Sequence, residues 1–285
     1  MKNHPETDFA VLLRGLNIPP CPSILTDLNA ELRKDNCNQK RVAALIRSDV
    51  ALSAAVLKIA NSAGSGSSRK ISSIDEALFS LGNQNLMNFV VGTFLKRTLN
   101  ASQNPSMERF WDRTAHNAKV CALLTERLRG TQRDTAYLMG LFNDCGMLLM
   151  MQRYPEYRDT LRLANQSEQA FTTTEDALHG TNHATIGYLL TRSWGLSEVL
   201  CEAIRSHHEY EVLDTNADRG VSDEACTLIG INLIAEHIVN TFLNKPDEWA
   251  WQRSKALITG FFGISLTDLK DLADDVLSQY QRRAA

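Results

Sequence analysis

Apolar residues recur at helical spacing along almost the whole chain, and no segment shows the alternation of apolar and polar residues that is typical of a strand. Residues 136–150 are the clearest case, with apolar side chains three and four positions apart at Leu138, Leu141, Phe142, Cys145, Leu148 and Leu149. This spacing places them on one side of a helix. The sequence therefore predicts an all-α fold.

The predicted helices fall into two blocks, separated by the polar segment Ala-Ser-Gln-Asn-Pro at residues 101–105. A proline in a polar stretch between two apolar-periodic blocks is typical of a boundary. We expect an N-terminal helical subdomain at residues 1–104 and a second helical subdomain, with a C-terminal helical extension, at residues 105–285. In the second subdomain, helices are expected at about 107–130, 133–152, 155–165, 173–179, 183–193, 197–207, 223–243, 249–260 and 265–280.

Charge, cysteine content and missing motifs exclude several classes of protein. The formal net charge of −3 argues against the broad basic surface of many nucleic-acid-binding proteins. The six cysteines lack Cys-x-x-Cys spacing, which is typical of reduced thiols in the cytoplasm. The apolar runs are too short to span a membrane, and no phosphate-binding loop, dinucleotide fingerprint, GxSxG or HExxH motif is present. We expect a cytoplasmic protein that binds neither nucleic acid nor a membrane.

Asn143 and Asp144 lie in the middle of the apolar segment 136–150. An unpaired buried carboxylate is energetically costly, so Asp144 needs a metal ion, a cation or a set of hydrogen bonds. The amide of Asn143 lacks the lone-pair nitrogen that an imidazole offers to a transition metal. A transition-metal site that relies on a histidine next to Asp144 would therefore be lost here, and the function depends on whether such a site existed.

Four histidines of the second block are close in sequence. His179 and His183 are four residues apart and would share a face if one helix held both, although Gly180 favours a helix end between them. His207 and His208 are adjacent, so on a helix their side chains point about 100° apart. Both can reach one site only at the end of a helix. Spacing alone also fits histidines that cap helices or pack in a core.

Six sequence blocks follow one another between about Ile18 and Asn240. They are IPPCPSIL, SDVALSAAVLKIANSAGSG, RKISSIDEALFSLGNQNLMN, FWDRTAHNAKVCALL, LMGLFNDCGMLLM and HATIGYLLTRSWGLSEVLCEAIRSHHE. In this order they resemble the HDOD domain, the HD-related output domain of bacterial signalling proteins, which is a relative of HD and HD-GYP phosphohydrolases. The resemblance implies an N-terminal helical subdomain packed on a degenerate HD-like helical subdomain, with the module covering about residues 18–240.

The resemblance also implies where HD enzymes hold metal, and this chain departs from that pattern. The first histidine ligand aligns with Arg113, and the His-Asp pair reads Asn143-Asp144. The last aspartate should lie in a helix that contains Asn232 and Glu236 but no Asp. Because a guanidinium repels a divalent ion and forms fork-shaped pairs with carboxylates, we expect Arg113 to pair with Asp144 in place of an ion.

The additional histidines of two-metal relatives are retained at His183, His207 and His208, although the GYP extension that follows them in HD-GYP proteins is missing. With Asp144 they form the alternative metal set, in which three imidazoles and one carboxylate hold a divalent transition metal. On the main interpretation no cofactor is expected.

Three functions are consistent with the resemblance. The main prediction is a non-catalytic module of bacterial signal transduction that binds other signalling proteins on separate chains. One alternative is a metal-dependent phosphohydrolase with a depleted site, and the other is a sensor of a nucleotide or another small phosphorylated ligand in the former metal pocket. We expect interaction surfaces at the groove between the subdomains and at the loop containing Asn61, Gly64 and Gly66, for which a plain connector is the alternative.

Overall fold

The computed structural model describes residues 18–62, 71–99, 105–167, 169–245 and 249–284. Across these residues the regular secondary structure is helical and contains no strand, which confirms the all-α prediction. The described residues form two compact units, one within Pro20–Asn100 and the other chiefly within Ala101–Ala285.

The N-terminal unit is built from α1 (Ser23–Leu32), α2 (Gln39–Arg47), α3 (Val50–Ser62) and α4 (Ile74–Leu99). The side chain of Asn38 accepts hydrogen bonds from the first backbone N–H groups of α2 and so fixes where that helix begins. Gly82 has a φ of 72° inside α4, so the element consists of two helical segments joined at a kink. Its core contains Leu28, Val42, Ile46, Leu52, Val56, Leu86 and Leu95.

Of the predicted interaction loop, Asn61 is described, whereas Gly64 and Gly66 lie outside the described residues. The Asn61 amide donates to the carbonyl groups of Leu57 and Ile71, at 2.8 and 2.9 Å. Its oxygen accepts from the N–H of Ile71 at 2.9 Å. Asn61 therefore ties the end of α3 to the segment that leads into α4, and a role of the loop in partner binding stays a prediction.

The second unit contains the remaining helices and one 3₁₀ turn. They are α5 (Pro105–Leu124), α6 (Arg133–Phe142), α7 (Cys145–Arg153), α8 (Tyr157–Gln166), α9 (Phe171–His179), α10 (His183–Ser193), α11 (Glu198–Ser206), the 3₁₀ turn Tyr210–Leu213, α12 (Asp223–Phe242), α13 (Trp249–Phe262) and α14 (Leu266–Ala284). Helix α12 packs against α5, α6 and α11. It is long and apolar enough to cross a membrane, but 78% of that stretch is buried inside the protein, as in a core helix.

The prediction of one continuous helix at residues 133–152 is wrong at Asn143 and Asp144. Helix α6 ends at Phe142 and α7 begins at Cys145, with Asp144 at φ −100° and ψ 7° as the N-cap. The apolar spacing continues across this two-residue break, so periodicity does not reveal it. The break places the Asp144 carboxylate at the N-terminus of α7, where the helix dipole favours negative charge.

Candidate metal centre

The side chains of Asp144, His183, His207 and His208 converge, and we call them the histidine cluster. One ligand atom from each lies within 4.8 Å of the others. The Nε2 atom of His183 is 3.3 Å from that of His207 and 3.0 Å from that of His208. Oδ1 of Asp144 lies 3.6 Å from Nε2 of His183 and 3.8 Å from Nε2 of His207. The structure thus brings together all four members of the alternative metal set.

Helix ends position all four residues. Asp144 precedes α7, and His183 is the first residue of α10, which starts where the Asn182 side chain accepts a hydrogen bond from the N–H of Thr185. His207 is the C-cap of α11 and His208 follows it. Two adjacent imidazoles reach one site because the helix ends at Ser206, immediately before them, which agrees with the helix end that their adjacency requires.

Gly146 allows α7 to approach α10 closely enough for the cluster to form. A Cβ atom at Gly146 would lie 2.0 Å from the backbone oxygen of His183 and 2.8 Å from the backbone nitrogen of Gly187. Both contacts are far shorter than atoms tolerate, and both involve backbone that cannot rotate away. A glycine is therefore required two residues after Asp144.

Hydrogen bonds fix the proton positions on two of the rings. Nδ1 of His183 lies 2.6 Å from Oε2 of Glu175, and Nδ1 of His207 lies 2.7 Å from the carbonyl oxygen of Ile204. An ionised carboxylate and a carbonyl only accept hydrogen bonds, so each Nδ1 must be the donor. In the neutral rings both Nε2 atoms then carry lone pairs, and these atoms lie 3.3 Å apart.

The resulting donor set fits a cation. The ligand atoms of Asp144 and the three histidines all lie within 4.8 Å of one another, and the Nε2 atom of His208 is 3.0 Å from that of His183. Ligand nitrogens about 2.0–2.1 Å from a tetrahedral zinc ion stand about 3.3–3.4 Å apart. The observed nitrogen separations of 3.0 and 3.3 Å are close to that value.

Glu175 supports the cluster from α9, and no motif in the sequence predicts this role. Its side chain is fully buried and accepts hydrogen bonds from the Tyr157 hydroxyl, from the backbone N–H of His183 and from the His183 ring. Carboxylates that orient ligand histidines in this way are common in metal sites. Sequence offers little to separate Glu175 from the exposed Asp176 beside it, because the two acids differ only in which side of α9 they occupy.

Charge interactions set the protonation preferences of the cluster. Burial raises the pKa of Asp144, but the hydrogen bond to His207 and the charges of His183, His207 and Arg113 outweigh it and lower that pKa to about 2. Burial lowers the pKa of His207, but the bond and charge of Asp144 raise it above its usual value. Burial, followed by the charges of the neighbouring histidines, lowers the pKa of His208 well below its usual value.

The ion-pair contacts described for Asp144 are with His183 and His207. Arg113, which the sequence analysis expected as its partner, affects the carboxylate through charge more weakly than either histidine does. His179 lies outside the cluster: Gly180, with a φ of 66°, ends α9 after it, and its ring is hydrogen bonded to Thr160 at 2.8 Å.

Asn117, Asn143, Asn232 and Glu236 form a second polar group, which we call the amide cluster. The Asn117 amide donates to Oδ1 of Asn232 at 2.8 Å. The amides of Asn232 and Asn143 both donate to Oε1 of Glu236, at 3.1 and 2.9 Å. This chain departs from the ligand pattern of HD enzymes at Asn143 and in the helix that contains Asn232 and Glu236. Hydrogen bonds within the protein join these three residues.

Comparisons with known proteins agree with the fold. A family model described as the HDOD domain matches residues 18–210. An uncharacterized protein of Treponema pallidum (strain Nichols) is 28% identical over 197 residues, covering 67% of this chain and 38% of its own length. The chain spans less than half the length of the curated relatives that it matches.

Solved structures share the architecture. An HDOD domain protein with unknown function from Geobacter sulfurreducens has a TM-score of 0.71 at 21% identity, over 98% of this chain and 96% of that one. A protein of Shewanella amazonensis SB2B named "Putative phosphohydrolase" has a TM-score of 0.68 at 25% identity, over 97% and 98% of the two chains. The first likeness supports the fold alone, and the second adds a name that points to phosphoester chemistry in that protein.

Proposed function

Because this chain belongs to the HDOD family, we propose that it is a non-catalytic module of bacterial signal transduction that acts by binding other proteins. The proposal adds one element to the sequence-based prediction, which expected no cofactor. The histidine cluster holds a single divalent transition-metal ion as a structural or regulatory part of the module. The six free cysteines fit a cytoplasmic location for this role.

The facing lone pairs of His183 and His207 carry the proposal. Their Nδ1 atoms are committed to Glu175 and to the carbonyl of Ile204, so the neutral rings have no proton to place in the 3.3 Å gap between the two Nε2 atoms. A bound ion would supply the positive charge that these lone pairs and the Asp144 carboxylate require. Glu175 would hold the His183 ring in orientation, and Ile204 would do the same for His207.

The number of ligands favours a non-catalytic role. Structural zinc sites are four-coordinate with protein ligands alone, whereas catalytic sites usually keep one position open for water. Asp144 and the three histidines supply four ligand atoms. They would fill a tetrahedral sphere and leave no position for the water that hydrolysis of a phosphoester needs.

The second candidate function is a metal-dependent phosphohydrolase, and the exposure of Asp144 favours it. The side chains of His183 and His207 are 0% and 2% exposed, whereas that of Asp144 is 23% exposed, so the cluster has a side open to solvent. An ion that prefers six ligands would keep two positions there for water or substrate. The name of the similar Shewanella protein points the same way.

Metal content tests the proposal directly. The protein is purified without a tag or chelator and analysed by elemental mass spectrometry, alongside Asp144→Ala and His183→Ala. We expect about one equivalent of a transition metal in the unaltered protein and a loss of most of it in both variants. His237→Ala is the matched control, since that histidine stacks on Trp251 outside the cluster and its removal should leave the metal in place.

Hydrolysis of bis(p-nitrophenyl) phosphate by the metal-loaded protein separates the two functions. We expect no more turnover than with Asp144→Ala. Turnover that requires both Asp144 and the metal would contradict the non-catalytic role and establish the phosphohydrolase activity. If the protein takes up no metal when zinc, manganese, iron(II) and nickel are each supplied, a metal ion is excluded from both candidate functions.

A further inference from the structure

A cavity of about 550 Å³ lies in the second unit, in the range typical of pockets for small ligands. It is bordered by the segment after α5, by the start of α12 and by the end of α13, and it shares no residue with the histidine cluster. Its charged and aromatic lining consists of Arg127, Arg129, Arg219, Asp223, Phe261 and Phe262.

The cavity has an excess of positive charge. Three arginines and one aspartate line it, and the aspartate, Asp223, is paired with Arg219 at 2.7 Å. Arg127 and Arg129 have no ion-pair partner among the described residues. Guanidinium groups bind phosphate oxygens through two parallel hydrogen bonds, and two uncompensated cations match the roughly two negative charges of a phosphate monoester at neutral pH.

Two phenylalanines give the same cavity a firm apolar wall. The Phe261 and Phe262 rings are edge-on, with centroids 5.1 Å apart. Phe262 packs against α12 at Gly230, where an added Cβ would lie 2.7 Å from the ring, so it has little freedom to move. The Arg219 guanidinium lies 5.8 Å from the centroid of Phe261. A flat ring can therefore lie beside Phe261 while a charged group lies near Arg127 and Arg129.

We propose that this cavity binds a phosphate monoester that carries an aromatic ring, such as a nucleoside monophosphate. Arg127 and Arg129 bind the phosphate, and the phenylalanine wall takes the ring. Arg219 is held by Asp223 and Phe261 and helps to shape the cavity between them. A free inorganic phosphate satisfies only the charged half of the cavity, and an uncharged nucleoside satisfies only the apolar half.

Isothermal titration calorimetry of the full chain with adenosine monophosphate, adenosine and inorganic phosphate tests this site. We expect the monophosphate to bind at least tenfold more tightly than either of the other two. The double variant Arg127→Gln/Arg129→Gln should weaken its binding tenfold or more. Arg158→Gln, which removes an exposed arginine of α8, is the matched control and should change the affinity by less than twofold.

Thermal unfolding of each variant shows whether the loss reflects the site or the fold, and Arg127→Gln alone gives a milder change if the double variant unfolds early. Equal affinity for the monophosphate and inorganic phosphate would overturn the role of the aromatic wall. Unchanged monophosphate binding in a folded double variant, or no binding of it at millimolar concentration, would overturn the site itself.

Discussion

The histidine cluster and the amide cluster are both buried polar groups of the same helical unit, yet they are stabilised in different ways. In the amide cluster each contact joins a donor to an acceptor: Asn117 donates to Asn232, and Asn232 donates to Glu236. In the histidine cluster the neutral rings of His183 and His207 present acceptors to each other, since their Nδ1 atoms already donate elsewhere. The first arrangement is held by hydrogen bonds between protein side chains, although the buried Asn117 oxygen accepts none, and the second is the one for which we propose a cation.

This difference suggests a physical criterion for which polar cluster of a helical unit can hold an ion. Amide side chains carry both donors and acceptors, so they can replace an ion with hydrogen bonds. Neutral imidazoles that have committed their single N–H cannot do so. Metal binding therefore depends on the hydrogen-bond partner of the second nitrogen of each ring. The number of retained histidines does not reveal that partner.

The largest effect that we predict comes from adding one methyl group where the helices of the histidine cluster meet. Gly146→Ala places a Cβ 2.0 Å from the His183 backbone oxygen, and should cost about 3 kcal/mol of the free energy of unfolding or more. Gly140→Ala, beside the amide cluster, meets its closest neighbours at 2.8 Å and should cost less. Urea unfolding in the presence of a chelator measures both.

The control for these glycine variants is Gly260→Ala, because a Cβ at Gly260 meets nothing within 4 Å inside helix α13. It should be neutral or stabilising by up to about 1 kcal/mol, since alanine favours the helix over glycine. A Gly146→Ala protein as stable as the unaltered chain, with its metal retained, would contradict the close approach of α7 and α10.

The second largest effect that we predict is a gain in the free energy of unfolding that depends on bound metal and on the histidine cluster alone. Free metal at a hundred times its dissociation constant should stabilise the unaltered protein by about 2.7 kcal/mol, and His207→Ala should abolish that gain. Asn232→Ala should lower stability by about 1–3 kcal/mol, because Asn117 and Glu236 lose a buried partner, but should keep the metal-linked gain. Unfolding curves with and without metal measure both quantities.

A metal-linked gain that is equally lost in Asn232→Ala would show that the two clusters act as one site. Glu236 provides a route for such coupling, since its charge contributes to raising the pKa of His207. Retention of the gain in Asn232→Ala would instead confine metal binding to the four residues of the histidine cluster.

A smaller effect should follow from changing the buried carboxylate behind His183. Glu175→Gln keeps the shape of the side chain but removes the charge that orients the Nδ1–H of His183, and should weaken metal binding about 10- to 100-fold. Glu198→Gln, at an exposed position of α11, is the control and should leave affinity unchanged. Competition with a chromogenic chelator measures the affinity. An unchanged affinity in Glu175→Gln would mean that His183 is oriented by packing alone.

The sequence predicted the helical class and most helix positions, because apolar spacing depends on local periodicity. It did not predict the break at Asn143 and Asp144, since two residues hardly disturb that periodicity. It named Asp144, His183, His207 and His208 through a resemblance, but their convergence depends on where helices end and pack. Glu175 was missed for the same reason: its role comes from burial and from a contact eight residues along the chain.

The smallest predicted effect concerns a histidine that belongs to neither cluster. His116 on α5 bonds to the Tyr280 hydroxyl of α14 and packs on the Phe242 ring of α12. Burial, followed by the charge of Lys119, lowers its pKa, and Asp112 offsets this in part. In the folded protein the His116 ring therefore takes up a proton less readily than in the unfolded chain, which accepts it below about pH 6.5. The stability that the neutral ring contributes is lost as the pH falls.

His116→Asn should make the free energy of unfolding less sensitive to acid between pH 7.5 and 5.5, by less than about 1 kcal/mol because the ring is partly exposed. Its metal content should stay at one equivalent. Chemical unfolding at both pH values, compared with the unaltered chain, measures the difference. An equal pH dependence in the two proteins would assign the acid sensitivity to other groups. A loss of metal would mean that His116, although it lies outside the histidine cluster, also contributes to metal binding.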